Sequence, residues 1–458
     1  MRRRFTRRGG GRVFSWRRAR GDADTPDAVI AVATRGAAGR GRTGTVAHAD
    51  HGFSDSIDGL IEKITRWYAS DERGFRTLYD AAVGHVVPYP EDTPEHVRCD
   101  WRGRDLAFLC AFLREWYAWG RTAKPTEGLD YIRKFNWLTH KNDYGMVFVT
   151  CGAGRDMTAE FTHLQGRQMD EPESKRLVDI WKRELGSRMD DFEKGPWPDF
   201  NAFFTRELRP GRRPVDKPDD NSVVVAPTDC VISMVVDELT EDTPIPVKTV
   251  TMNVRQLLDG SEHYRKFVPG RDERGRAVPG GTAVSCVLMP DTYHWYHAPV
   301  AGEVVEATDG IGGVHYGMRD FPGLLNRGNV GHGFGYATFE DFRRGYVVIR
   351  TRFRDPRGRE HETYVGMVTV GLNSIASVNY LPRFQKPAKP VRVRKGEKIG
   401  NFRYGGSLVI LLFQHGRFPA LQLHMGQRIG NLECRERSAA LFTGSHRHQA
   451  LRRLLLSL

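Results

Sequence analysis

Residues 400–413 read Gly-Asn-Phe-Arg-Tyr-Gly-Gly-Ser-Leu-Val-Ile-Leu-Leu-Phe, which puts a hydroxyl, Ser407, after two glycines and at the mouth of an apolar strand. A serine oxygen becomes a nucleophile once a base takes its proton, and the glycines before it have no Cβ to obstruct a close approach of the backbone. A Gly-Gly-Ser turn ahead of a strand is also ordinary loop chemistry. A base is available in Asp291-Thr-Tyr-His-Trp-Tyr-His-Ala-Pro, where His294 and His297 stand three residues apart. Imidazole titrates near neutral pH, and a carboxylate beside it fixes its tautomer and stabilises its cation. Two readings compete: histidines satisfied by core hydrogen bonds, and a zinc pair, for which no third and fourth ligand is evident nearby. In Val225-Ala-Pro-Thr-Asp-Cys, Asp229 falls just past an expected strand, where it either orients a histidine or closes a turn.

These groups must be held by the elements around them. Ser54-Asp55 precedes Ile57, Leu60, Ile61, Ile64, Trp67 and Tyr68 at helical spacing, which predicts a capped amphipathic helix. Asp105 to Trp119 is apolar nearly all round and predicts a buried helix stopped by Gly120; another helix is expected from Pro172 to Leu185. After Gly195-Pro196 the texture changes to short β-branched runs at Val223–Ala226, Ile232–Val236, Val284–Met289, Gly302–Ala307, Tyr346–Arg350, Tyr364–Val370 and Leu408–Phe413. The expected class is α+β, with a tail over 1–53, a helix-rich N-terminal domain over 54–195 and a mainly β domain over 196–458. Ala298–Val305 and Val391–Gly400 share a strand-and-glycine-turn layout that resembles the halves of a biotinyl/lipoyl-type sandwich. That layout admits a carrier or binding domain, although Lys395 and Lys398 lack the Met-Lys signature of a modified lysine.

The chain has 458 residues, 40% of them hydrophobic, which is enough for two or three domains. Six cysteines without a C-x-x-C pair argue against a zinc ribbon or a disulfide scaffold. The longest apolar run, Leu408–Phe413, is far short of the roughly 18–20 residues a spanning helix needs. Of the formal charge of +13, residues 1–50 contribute twelve arginines against four aspartates, so the basicity is mainly a tail. Nucleic acid is therefore not expected as a partner. The tail has no apolar stretch of secretory type and reads as a disordered leader, a transit peptide or an anionic-lipid contact.

Together, Phe200-Asn-Ala-Phe-Phe-Thr-Arg-Glu-Leu-Arg-Pro-Gly-Arg-Arg-Pro-Val-Asp216, Ala226-Pro-Thr-Asp229, Tyr293-His-Trp-Tyr-His-Ala-Pro-Val-Ala-Gly302, Val370-Gly-Leu-Asn-Ser-Ile375 and Lys395-Gly-Glu-Lys-Ile-Gly-Asn-Phe-Arg-Tyr-Gly-Gly-Ser407 closely resemble the phosphatidylserine decarboxylase family, in the family's order. The resemblance implies a self-processing proenzyme. Ser407 attacks the carbonyl of Gly406, the ester β-eliminates, and the new chain begins with a pyruvoyl group, the covalent cofactor. It also implies His297 as the base, Asp229 as its orienting carboxylate, His294 at the decarboxylation and protonation step, and a Schiff base to the substrate amine. Neither a metal nor another cofactor is expected. Two positions depart from the family pattern. Leu408 stands where threonine is usual, with slower processing the expected effect, and Cys230 stands where glycine is usual, a strained choice if φ is positive there.

The helical region ahead of the catalytic domain resembles a soluble branch of the family that includes a fungal tryptophan decarboxylase. The expected substrate is accordingly a free L-amino acid such as tryptophan, with phosphatidylserine at a membrane surface as the alternative and an uncleaved binding protein as the competing class. Arg327, in Leu325-Asn-Arg-Gly, is the candidate cation for the substrate's anionic group. A cytoplasmic protein is expected, with at most peripheral membrane contact, the two cleavage products held together, and higher oligomers left open.

Overall fold

A computed structural model describes residues 52–425, apart from 90, 92, 94, 123–126, 141, 151, 244, 248–249, 273, 289–291, 312–342, 372–377, 405–406, 419–420 and 422–424. The basic tail, Arg327 and Gly406 lie outside the described residues. The first half is helical: α1 (Ile57–Ser70), α2 (Phe75–Gly84), α3 (Leu106–Thr122), α4 (Glu127–His140), α5 (Asp143–Thr150), α6 (Gly152–Asp170) and α7 (Lys175–Leu185). Ser56, rather than Ser54, caps α1 by accepting from the Gly59 N–H at 3.1 Å. The α3 helix runs through Gly120 to Thr122. An interior glycine costs a helix only about 1 kcal/mol, less than burial of Phe112 and Trp116 contributes. Trp101, Phe112, Trp116, Phe135 and Phe161 form one aromatic core.

The short helix α8 (Phe200–Phe204) comes next, and its Phe200, Phe203 and Phe204 pack with Met169, Leu177, Val178 and Leu185 of the helical part. The motif that precedes the β-rich region is thus docked onto the preceding helices. The remaining elements are β1 (Val231–Val236), β2 (Ile245–Val247), β3 (Val250–Met252), α9 (Val254–Leu257), β4 (Gly270–Arg271), β5 (Ala277–Val278), β6 (Thr282–Leu288), β7 (Trp295–His297), β8 (Gly302–Ile311), β9 (Arg344–Arg354), β10 (Glu360–Gly371), β11 (Val378–Tyr380), β12 (Val391–Val393), β13 (Lys398–Phe402) and β14 (Ser407–Phe413). A seven-stranded antiparallel sheet has the order β1-β6-β14-β10-β9-β8-β12, and a three-stranded sheet the order β11-β13-β7.

Alternation along β14 divides the core. Leu408, Ile410 and Leu412 join Val368, Val370 and Val348 on the face covered by α9, whereas Val409, Leu411 and Phe413 join Met367 and Ile349 beneath the Tyr296, Tyr380 and Phe402 of the smaller sheet. Leu408 is therefore a core residue, so the departure from threonine is absorbed by packing. Because β14 is central, with ladders to β6 and β10, a cut just before Ser407 is expected to leave the short chain bound. Its six buried apolar side chains represent roughly 1.5–3 kcal/mol each as an upper estimate. Native gel filtration checks this: the two fragments should co-elute, and separation without denaturant would show that the strand is dispensable.

Two expectations are corrected. Val223–Ala226 is not a strand: Val225 N–H donates to Pro299 O at 3.1 Å, the Val223 carbonyl is taken by Lys395 Nζ at 2.9 Å, and Pro227 has no N–H to extend a ladder. Asp229 consequently precedes a strand, β1, instead of following one. The two glycine-turn segments are partners, Val391 opposite Val304 and Val393 opposite Gly302. Lys395 is buried and its ammonium also meets the carbonyls of Lys217 and Asp220 at 2.6 and 2.5 Å, so it fastens a loop. Among the described residues no helix is long and apolar enough to cross a membrane.

Candidate active site

The β7 strand and the residues just before it carry both histidines, and β13, which pairs with β7, leads through Arg403 and Tyr404 towards Ser407. His294 is fully buried. Its Nδ1–H donates to the Thr292 carbonyl at 2.9 Å, which leaves the Nε2 lone pair as the acceptor, and Nε2 is buried without a hydrogen-bond partner. Phe204 of α8 lies against the ring, with centroids 3.8 Å apart. Burial, then the positive charge of Arg206, pushes the His294 pKa down to about 3, against the pull of the Thr292 carbonyl. The imidazole is neutral at physiological pH.

Arg206 comes from the Thr205-Arg-Glu-Leu segment and is almost wholly buried. Its guanidinium sits 4.1 Å from the Phe192 ring centroid and 4.9 Å from that of Phe203, and donates to the carbonyls of Phe203 and Thr292. The Thr292 carbonyl therefore joins Arg206 to His294. Sequence reasoning assigned Arg206 no role, although it stands inside the quoted motif.

His297 is held differently. Its Nδ1–H donates to the Gly396 carbonyl at 2.8 Å, its Nε2 accepts from the Tyr293 hydroxyl at 3.0 Å, and its backbone N–H bonds Pro227 O at 2.7 Å. Burial lowers its pKa, opposed by the Gly396 carbonyl. Gly396 can present that carbonyl because it turns at φ +75°, where a Cβ would also stand 2.3 Å from Val215 Cγ2. The expected carboxylate–imidazole hydrogen bond is not formed. Both Asp229 oxygens are bound by Arg213, each at 2.8 Å, and Arg213 also reaches Asp191. Asp229 acts on His297 through space as a charge. Cys230 has no positive φ, so the anticipated strain is absent; its proximity, with burial, raises the Cys286 thiol pKa.

Ser407 opens β14 opposite Leu288 on one side and Gly371 on the other. The segment before it is clamped to the helical part. Arg403 pairs with Asp170 at 2.9 Å, Tyr404 N–H donates to Asn201 Oδ1 at 3.2 Å, and the Tyr404 ring meets Trp181, Phe200 and Phe204 edge-on. Phe402 N–H donates to the His294 carbonyl at 2.9 Å, so this segment and the histidine strand move as one unit. Phe402 and Tyr404 are thereby brought together with His294, Phe204 touching the rings of His294 and Tyr404, while the Gly371–Ser407 pairing ties in β10. Among the described residues there is no cluster of three or more metal-ligating side chains.

Comparison with known proteins gives a consistent result. The family model for phosphatidylserine decarboxylase matches residues 200–431. The phosphatidylserine decarboxylase proenzyme of Anoxybacillus flavithermus is 28% identical over 287 residues, covering 61% of this chain and 91% of that protein. A proenzyme of the same name from Clostridium perfringens is 28% identical over 294 residues, covering 63% and 83%. Phosphatidylserine decarboxylase proenzyme 2 of rice is 24% identical over 282 residues, covering 60% of this chain and 39% of its own length.

Proposed function

The chain belongs to the phosphatidylserine decarboxylase family and is a pyruvoyl-dependent carboxy-lyase, and on that premise we propose that it cuts itself between Gly406 and Ser407 and decarboxylates phosphatidylserine. The observation that carries the substrate is the match across 91% of a protein whose name states it. None of the relatives described above is a tryptophan decarboxylase, which leaves the free amino acid without support.

In processing, His297 takes the Ser407 hydroxyl proton as Oγ attacks the Gly406 carbonyl. The adduct collapses with cleavage of the Gly406–Ser407 C–N bond, the proton held by His297 passing to the Ser407 nitrogen, to leave an ester. Loss of the residue 407 Cα proton then expels Gly406 as a carboxylate and leaves residue 407 dehydrated, and water displaces its nitrogen as ammonia to yield the ketone. Tyr293 must give up its bond to His297 Nε2 for this to happen, because that lone pair is the one available. The residues present suit a pyruvoyl group at position 407: a neutral, buried imidazole with an unused acceptor stands beside the segment that delivers it. The group supplies an electrophilic ketone that captures the substrate amine and stores the electron pair as CO₂ departs. His294 manages the proton that replaces the carboxylate, and the ring of Phe204 keeps water from it. A cytoplasmic protein working at a membrane surface fits this reading, with the basic tail adding attraction to anionic lipid.

The test is CO₂ release per mole of pyruvoyl from phosphatidylserine vesicles, L-serine and L-tryptophan. Phosphatidylserine should exceed either free amino acid by at least about tenfold, equivalent to 1.4 kcal/mol in transition-state binding. Turnover of tryptophan with none of phosphatidylserine would reverse the assignment.

A further inference from the structure

We propose that Arg343, which no motif singles out, is the cation that binds the phosphodiester of the substrate. The inference rests on the phosphatidylserine reading and assigns the residue that recognises the part of the headgroup that does not react. Gly371 N–H donates to the Arg343 carbonyl at 2.8 Å, and Gly371 is the register partner of Ser407. Arg343, Gly371 and Ser407 therefore form one row across the ends of β9, β10 and β14. At about 4.8 Å between strands, the Arg343 backbone is roughly 10 Å from that of Ser407, a gap that an arginine side chain and a headgroup together span.

The direction of the side chain follows from its neighbour. Arg344 turns to the α9 face, where Nη2 donates to Gln256 O at 2.8 Å and the guanidinium lies 3.6 Å from Asp259. Successive residues alternate, so Arg343 faces the smaller sheet, and its electrostatic neighbours Tyr296 and Asp309 lie there. That is the sheet whose strand β7 carries His297 and follows His294 directly. Arg343 Nη1 is buried without a hydrogen-bond partner, and burial lowers the guanidinium pKa against the charge of Asp309. Asp309 itself accepts from Tyr380 N–H and Gln385 Nε2. On this half-buried side chain a buried, unused donor is costly unless an anion arrives, and the guanidinium fork suits two oxygens of a phosphate.

Chemistry selects which anion. A cation on the departing carboxylate would stabilise the substrate more than the transition state, because that charge leaves the carboxyl oxygens as CO₂ forms. A phosphodiester keeps its charge throughout, so holding it lowers KM without opposing the reaction. The two buried arginines near the site already serve carbonyls through their terminal nitrogens, Arg206 those of Phe203 and Thr292 and Arg344 that of Gln256, and their orphan atom is the single Nε, whereas in Arg343 it is the terminal Nη1.

The experiment compares full-length wild type, Arg343→Gln and Arg343→Lys. Each is scored for self-cleavage on a denaturing gel and then for kinetics per pyruvoyl with monomeric dihexanoyl phosphatidylserine. Cleavage should be unchanged, KM should rise at least tenfold in the glutamine variant with kcat within threefold, and lysine should recover part of the loss. Unchanged KM in cleaved Arg343→Gln, or a fall in kcat at constant KM, overturns the assignment. Wild-type enzyme that turns over free amino acids and ignores dihexanoyl phosphatidylserine instead refutes the substrate reading, whatever Arg343 does. If the variants stay uncleaved, calorimetry with glycerophosphoethanolamine on Ser407→Ala proenzyme, with and without Arg343→Gln, reads phosphate recognition independently of processing. Binding should drop at least tenfold with Arg343→Gln, and equal binding overturns the inference.

Discussion

Ser407→Ala should accumulate as a single uncut chain with no pyruvoyl and a loss of decarboxylation of at least about 10³-fold, because one residue supplies both the attacking oxygen and the carbon skeleton of the cofactor. Wild type should instead give two chains, 1–406 and 407–458, the second with a blocked N-terminus. Intact-mass spectrometry distinguishes the outcomes directly. The fold should survive the substitution, since β14 keeps both ladders and its buried apolar residues from Leu408 to Phe413. Hydroxylamine should abolish wild-type activity by capturing the ketone, whereas chelators should leave it intact. An active, uncut Ser407→Ala protein would remove the basis of the mechanism.

The two histidines should separate by reaction. His297→Ala should slow self-cleavage by about 10²–10⁴-fold, the usual contribution of a positioned base. His294→Ala should still cut and then decarboxylate poorly, to a similar degree per pyruvoyl. Burial lowers both imidazole pKa values, so the cleavage rate should begin to fall with acid only below about pH 6.5, the value expected of a free imidazole. The sign for stability is the opposite of that for a histidine with an acidic partner. Between about pH 3 and 6.5 the unfolded chain binds the His294 proton and the folded chain does not, so stability is lost as the pH is lowered through this range, by up to about 1.4 kcal/mol per unit. Cleavage time courses on gels and thermal melts across this range measure the two effects. Normal processing in His297→Ala with none in His294→Ala would exchange the roles.

Asp229→Asn separates a direct orienting role from a charge effect. With both oxygens on Arg213, the carboxylate helps hold the loop before β1, and it reaches His297 only through space. Gly396→Ala acts on the acceptor that His297 does touch, and the substitution is strained by both its φ and the contact with Val215.

What was legible in the sequence was chemistry that depends on residue type and near-neighbour periodicity: the hydroxyl at 407, the imidazoles at 294 and 297, three of the helices before residue 195 and six of the seven strand runs after it. Helix ends were less so, because a cap such as Ser56 and a helix that continues through Gly120 are decided by packing on either side. The tertiary structure decided which acceptor each donor found. His297 reaches a carbonyl 99 residues away, and a backbone carbonyl looks the same at every position in a sequence. Asp229 went to Arg213 since a buried or half-buried carboxylate takes the bidentate cation when one lies within reach. Likewise Arg343 differs from Arg344 only by one step of strand alternation, which puts the terminal nitrogen of one against Gln256 and leaves that of the other, Nη1, without a partner on the face of the smaller sheet.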